Sequence, residues 1–239
     1  MRPTAKATPA SGARLPESEG HAEPLDAARG EGYSEPAVRS ANDVALLVLA
    51  SASPRRRDLL QHAGLRFEVM PADIPEAVRE GEAPCALVER LATEKAAAVR
   101  GRLPARPRRL VLGSDTVVVL GDEILGKPRD AEEAVAMLLR LSGRTHRVWT
   151  GVAVFATDGV TPSVRSIESR VTLRAATELE LRAYVATREP LDKAGAYAFQ
   201  GEGRRFVARV EGSESNVIGL PLEETLALLA AAGLAPPGA

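Results

Sequence analysis

The segment Ser51-Ala52-Ser53-Pro54-Arg55-Arg56-Arg57 places three arginines where a helix should begin. Ser53 is a natural N-cap, and Pro54 suits the first helical position. Cations in a first helical turn face the positive pole of the helix dipole. Each costs roughly 0.3–1 kcal/mol unless an anion offsets it. Free backbone N–H groups, a hydroxyl and guanidinium forks together make a site suited to a phosphate-bearing ligand. The plainer alternative is a solvated basic helix start.

Three further places could carry chemistry. Val88, Leu91, Lys95 and Val99 recur at helical spacing, which puts Lys95 on an apolar stripe. It either snorkels from the stripe's edge or enters a cleft to meet phosphate oxygens. Asp115 sits inside the apolar run Leu110 to Val119. A buried carboxylate needs a partner, a capped turn or a metal, and in a cleft Asp115 could activate water, hold a cation, or do both. Gly121 to Lys127 matches seven positions of the P-loop pattern, but Pro128 stands where Ser or Thr should be and the segment lies at a hairpin. We reject a P-loop and keep Lys127 as a phosphate contact. Lastly, Asp192-Lys193-Ala194-Gly195-Ala196-Tyr197 and Gln200-Gly201-Glu202-Gly203 form a loop of small residues. Its glycines permit close backbone approach, and the Gln200 amide could pair with a nucleobase edge.

These residues are carried by alternating strand and helix signals from Asp43 onward. Strands are expected over Val44–Ala50, Phe67–Met70, Leu110–Leu120, Glu123–Leu125, Arg147–Ala156, Val164–Leu173 and Phe206–Val210. Helices are expected from Pro54, over Pro84–Arg100, from Asp130 to Leu141, after Thr177, and over Leu222–Ala232. Asp130/Glu133 and Thr177/Glu180 read as capping boxes, and Gly143 as a helix stop. The pattern implies an α/β fold: a mixed twisted sheet with helices on its faces and long hairpins walling a cleft. Residues 1–42 are rich in Ala, Pro, Gly, Ser and Glu and read as a disordered extension. Residues 43–239 read as the single folded domain.

The 239 residues carry a net charge of −1 and 3% aromatic residues, which disfavours nucleic acid and an anionic membrane as partners. No apolar run approaches the ~18 residues of a membrane span. Cys85 is the only cysteine, so a reducing cytoplasm is the expected setting. With His21, His62 and His146 scattered, zinc is disfavoured, and any metal should be a hard, oxygen-liganded one such as magnesium or manganese.

Taken together, the chain resembles the Maf family, the septum formation inhibitor group of nucleoside triphosphate pyrophosphatases. The resemblance rests on Leu49-Ala50-Ser51-Ala52-Ser53-Pro54-Arg55-Arg56, Ala92-Thr93-Glu94-Lys95-Ala96, Gly113-Ser114-Asp115-Thr116, Gly126-Lys127-Pro128, Leu141-Ser142-Gly143, the Asp192 to Tyr197 loop and Gly219-Leu220-Pro221. It implies an inosine-triphosphatase-like fold and hydrolysis between the α and β phosphates with a divalent metal. The family's catalytic acid falls on Asp115, with Glu76, Lys95 and Lys127 beside it. Asp115 and Glu76 are the implied metal ligands, and Ser53, Arg55, Arg56 and Lys193 the phosphate contacts. Where the family usually has two adjacent acids, this chain has Pro75 before Glu76. Glu76 or Asp73 must then suffice.

The resemblance also implies a base preference. Arg55, Thr116 and Gln200 match the pattern of members acting on dTTP and UTP. The sister group acting on 7-methyl-GTP typically carries Trp, Gln and Glu there. A second alternative is a nucleotide-binding regulator of cell division without turnover. Exposed faces of the long hairpins could pair two copies into a homodimer.

Overall fold

The computed structural model describes residues 46–235. The extension expected over residues 1–42 lies outside the described residues. The first strand, β1, spans Leu46–Leu49, and β2 (Phe67–Val69) and β3 (Arg109–Leu120) follow it. Then come β4 (Glu123–Leu125), β5 (Thr145–Ala156), β6 (Ser163–Leu173) and β7 (Val207–Glu211). They form one mixed sheet in the order β2-β1-β3-β5-β6-β7, with β4 paired to β3. β1 runs parallel to β2 and β3, and every later pairing is antiparallel. The expected α/β architecture is the one observed.

The helices are α1 (Pro54–His62), α2 (Pro84–Arg100), α3 (Ala131–Leu141), α4 (Glu178–Ala186), α5 (Glu214–Ile218) and α6 (Leu222–Ala231). The short α5 was not expected from the sequence, because its five residues carry no full apolar period. Of the two expected capping boxes, Thr177 and Glu180 form both halves. At α3, Asp130 accepts the Glu133 N–H, but the Glu133 carboxylate takes the N–H of Arg129 instead. That box is half-formed.

Two glycines set how closely α2 lies on the sheet. A β-carbon on Gly113 would fall 2.1 Å from the Ala92 carbonyl oxygen, and one on Gly151 would fall 2.2 Å from that of Val88. No larger residue allows this approach. It buries Val88, Ala92, Ala96 and Val99 of α2 against the strand interior. On the opposite face, Leu47, Leu49, Leu110 and Leu112 pack with Leu228 and Leu229 of α6.

The two edges of β3 are occupied unequally. β5 pairs with it from Leu110 to Val119. On the other edge β1 covers Arg109–Leu112 and β4 covers Val118–Leu120. Residues 113–117 have no strand partner on that edge among the described residues. The chemistry-bearing residues gather in this interval.

Candidate active site

Asp115 lies two residues beyond Gly113, so strand alternation puts it on the same face, beneath α2. Lys95 sits one turn along α2 from Leu91. The resulting contact is direct: Lys95 Nζ donates to Asp115 Oδ1 at 2.7 Å, with both side chains 8% exposed. The same ammonium reaches Glu76 Oε1 at 2.6 Å. Lys95 is therefore no snorkelling lysine. It bridges two carboxylates brought from an irregular loop and from the middle of the sheet. Burial pushes the Glu76 carboxyl up, but the hydrogen bond and charge of Lys95, with Lys127 and Arg56, outweigh it and hold Glu76 below its ordinary range.

The helix start behaves as its residue types require. Ser53 caps α1 by accepting the Arg56 N–H at 3.4 Å. Arg56 folds back across the sheet. Its Nε donates to the Gly219 carbonyl at 2.8 Å, one Nη to Ser51 Oγ at 3.0 Å, and the other to Thr116 Oγ1 at 3.1 Å. All three partners are neutral, so the guanidinium charge is held in place with no carboxylate bonded to it. Burial lowers its pKa, and the nearby charge of Asp115 works against that.

Thr116 is oriented in turn. It lies 2.9 Å from Thr150 Oγ1, and Thr150 donates to the Asn216 carbonyl at 3.1 Å. Thr150 spends its proton on Asn216, so Thr116 donates to Thr150 and keeps a lone pair for Arg56. Ser51, Thr150, Asn216 and the Gly219 carbonyl were not picked out from the sequence as single residues. A neutral polar group gives no local signal of what it will meet.

Asp115, Glu76, Lys95, Lys127, Ser53, Arg55, Arg56, Thr116 and Lys193 all line one cleft of about 350 Å³. Lys127 is exposed at its rim, beside Gly126, whose carbonyl accepts the Gly195 N–H at 3.0 Å. That bond ties the two cationic loops together. Lys193 is less free than expected, since its Nζ donates to the Glu189 carbonyl at 2.6 Å and to Asp192. Arg55 approaches Asp192 only at 3.8 Å. Part of the cleft lining is apolar, with Val118, Val148, Tyr197, Phe199, Val217 and Ile218.

Gln200 is the exception among the expected site residues. It is exposed and stands outside the cleft lining, whereas its neighbour Phe199 is buried and lines it. The cause is a pinned turn. Glu189 accepts the N–H groups of Glu202 and Gly203, both at 3.0 Å, and the Tyr184 hydroxyl at 2.8 Å. Asp73 is also exposed and absent from the lining, so Glu76 alone supplies the loop's carboxylate. No cluster of three or more His, Cys, Asp or Glu suited to a metal occurs among the described residues.

An open interval in a mixed sheet, a cationic rim and a lysine-bridged pair of carboxylates define an α/β protein built to hold a polyanion over an acid centre. The chain belongs to the Maf family: the family model described as Maf-like protein matches residues 46–232. A dTTP/UTP pyrophosphatase of Myxococcus xanthus (strain DK1622) is 58% identical over 195 residues, covering 82% of this chain and 96% of that protein. Proteins of the same name from Anaeromyxobacter sp. (strain Fw109-5) and Hahella chejuensis (strain KCTC 2396) are 53% and 50% identical. Those matches cover 78% and 79% of this chain and 89% and 92% of those proteins.

Proposed function

We propose that this chain hydrolyses dTTP and UTP to the nucleoside monophosphate and pyrophosphate, clearing non-standard nucleotides. The observation that carries the reading is the Lys95 bridge between Asp115 and Glu76 in a cleft that Arg55, Arg56 and Lys127 also line. Relatives at 50–58% identity bearing the name dTTP/UTP pyrophosphatase support the substrate.

In this mechanism Arg56, Arg55, Lys127 and the α1 start bind the triphosphate, and the apolar part of the lining takes the nucleoside. Asp115 accepts a proton from a water molecule whose oxygen bonds to the α-phosphorus. The bond from that phosphorus to the bridging oxygen breaks, and pyrophosphate leaves with the electron pair. Lys95 holds Asp115 in place until the nucleotide arrives. Lys127 offsets charge on the departing group.

A divalent cation, magnesium or manganese, fits the donor set: Glu76 and Asp115 are hard oxygen ligands converging on one point, both within 2.7 Å of Lys95 Nζ. These two residues would hold it. When bound, such an ion supplies Lewis-acid charge to the phosphate oxygens. The cytoplasm is the proposed setting, supported by the single cysteine. Among the described residues no helix is long and apolar enough to cross a membrane.

The test is pyrophosphate release from dTTP, UTP, CTP, GTP and 7-methyl-GTP with magnesium or manganese. Release confined to dTTP and UTP is the expected result. Release from 7-methyl-GTP alone would favour the sister activity. Binding without release would favour the regulator.

A further inference from the structure

Lys95 stands between the two carboxylates that would hold a divalent cation. Its Nζ is 2.6 Å from Glu76 and 2.7 Å from Asp115, in a position 6% exposed. An ammonium at hydrogen-bond distance from both oxygens fills the space a cation would need. The surroundings add to this. Lys95, Lys127 and Arg56 all act on Glu76, and Arg56 also acts on Asp115. Three cations therefore face two carboxylates, and no third acid is grouped with them among the described residues. A site of that balance repels a free dication.

We infer that Lys95 closes the Glu76–Asp115 pair to free divalent cations, so that the ion enters only as the counterion of the nucleotide's phosphates. This rests on the nucleotide reading above. A triphosphate reverses the local balance by bringing several negative charges to the rim cations. It also offers Lys95 an alternative partner. The four-carbon stem lets the ammonium swing from carboxylate to phosphate oxygen without movement of α2. Glu76 and Asp115 then become available to the ion already riding on the phosphates. Lys95 thus sets the order of binding, with metal and nucleotide arriving together.

The test is a manganese titration of the nucleotide-free protein at neutral pH, read by electron paramagnetic resonance of bound and free ion. Wild type should bind Mn²⁺ weakly. Lys95→Met should bind it about tenfold or more tightly, since both carboxylates lose their internal cation. Adding Asp115→Asn to Lys95→Met should abolish the gain. Should Lys95→Met fail to fold, wild type alone decides: site-bound Mn²⁺ should appear with α,β-methylene-dUTP and not without it. Tight Mn²⁺ binding by nucleotide-free wild type, equal to that of Lys95→Met, would overturn this inference and leave the pyrophosphatase reading intact. Absence of pyrophosphate release from every nucleotide would overturn that parent reading, and with it the nucleotide as carrier.

Discussion

Gly113 and Ala92 approach so closely that a β-carbon on the glycine would lie 2.1 Å from the alanine carbonyl oxygen. This contact fixes the height of α2 above β3, and with it the reach of Lys95 to Asp115. Gly113→Ala should therefore displace the helix. We expect a loss of roughly 1–3 kcal/mol, as for other overpacked interiors, and a larger fractional loss of pyrophosphate release. Urea unfolding alongside turnover checks both. Unchanged turnover in a destabilised protein would separate the helix height from the chemistry.

Asp115 is the proposed proton acceptor, and its removal should affect rate more than fold. Asp115→Asn keeps the shape and can still face Lys95. Turnover of dTTP should fall by about 10²–10⁴-fold, the usual range for general base catalysis. Circular dichroism should be unchanged. A fully active Asp115→Asn protein would remove Asp115 from the mechanism.

The loop carrying Glu76 is held by Arg90. Its guanidinium binds Glu82 through two contacts of 2.6 Å, Glu94 at 3.2 Å and the Ala77 carbonyl at 3.0 Å. Hydrogen bonding from Arg90 holds Glu82 down at about 2, so the clamp is ionised throughout the neutral range. Arg90→Ala should free the loop and lower turnover by about tenfold, and should also lower the thermal midpoint, since the Arg90 and Glu82 side chains are only 15% and 10% exposed. Arg90→Lys, which keeps the charge but not the fork, should recover only part. Turnover equal to wild type in Arg90→Ala would show that Glu76 needs no such support.

His146 gives a pH dependence of stability. It is 2% exposed, its Nε2 lies 2.8 Å from the Tyr197 hydroxyl, and its Nδ1 has no partner. Burial lowers its pKa to about 4. Above an ordinary value near 6.5 the ring is neutral in both folded and unfolded chains. As pH falls from there toward about 4, the unfolded chain binds a proton that the folded one refuses. Stability should drop through that window by about 3 kcal/mol. His146→Gln should flatten this part of the curve, as measured by urea midpoints at pH 7 and 4.5. Equal pH dependence in both proteins would show that the ring gains a partner when it is charged.

Much of the fold was legible because it is encoded locally. Pro84–Arg100 is bounded in the structure where the sequence places it, and the Thr177–Glu180 capping box forms as read. Short-range rules suffice there, since the partners sit within a turn of each other. Asp115 and Lys95 were conspicuous for a similar reason: each is a charge inside an apolar pattern, and such a pattern declares burial.

The sequence by itself therefore determined the types of the longer elements, the anion-seeking start of α1 and the two charges that must be paired. Only the tertiary structure decided how they are paired. It set one ammonium between Asp115 and Glu76, gave Arg56 three neutral partners, two of them from distant segments, and left Gln200 outside the cleft. The physical reason is range. Periodicity and capping act over a few residues, whereas these contacts depend on two glycines that let α2 settle onto the sheet, and on the stretch of β3 left open between β1 and β4.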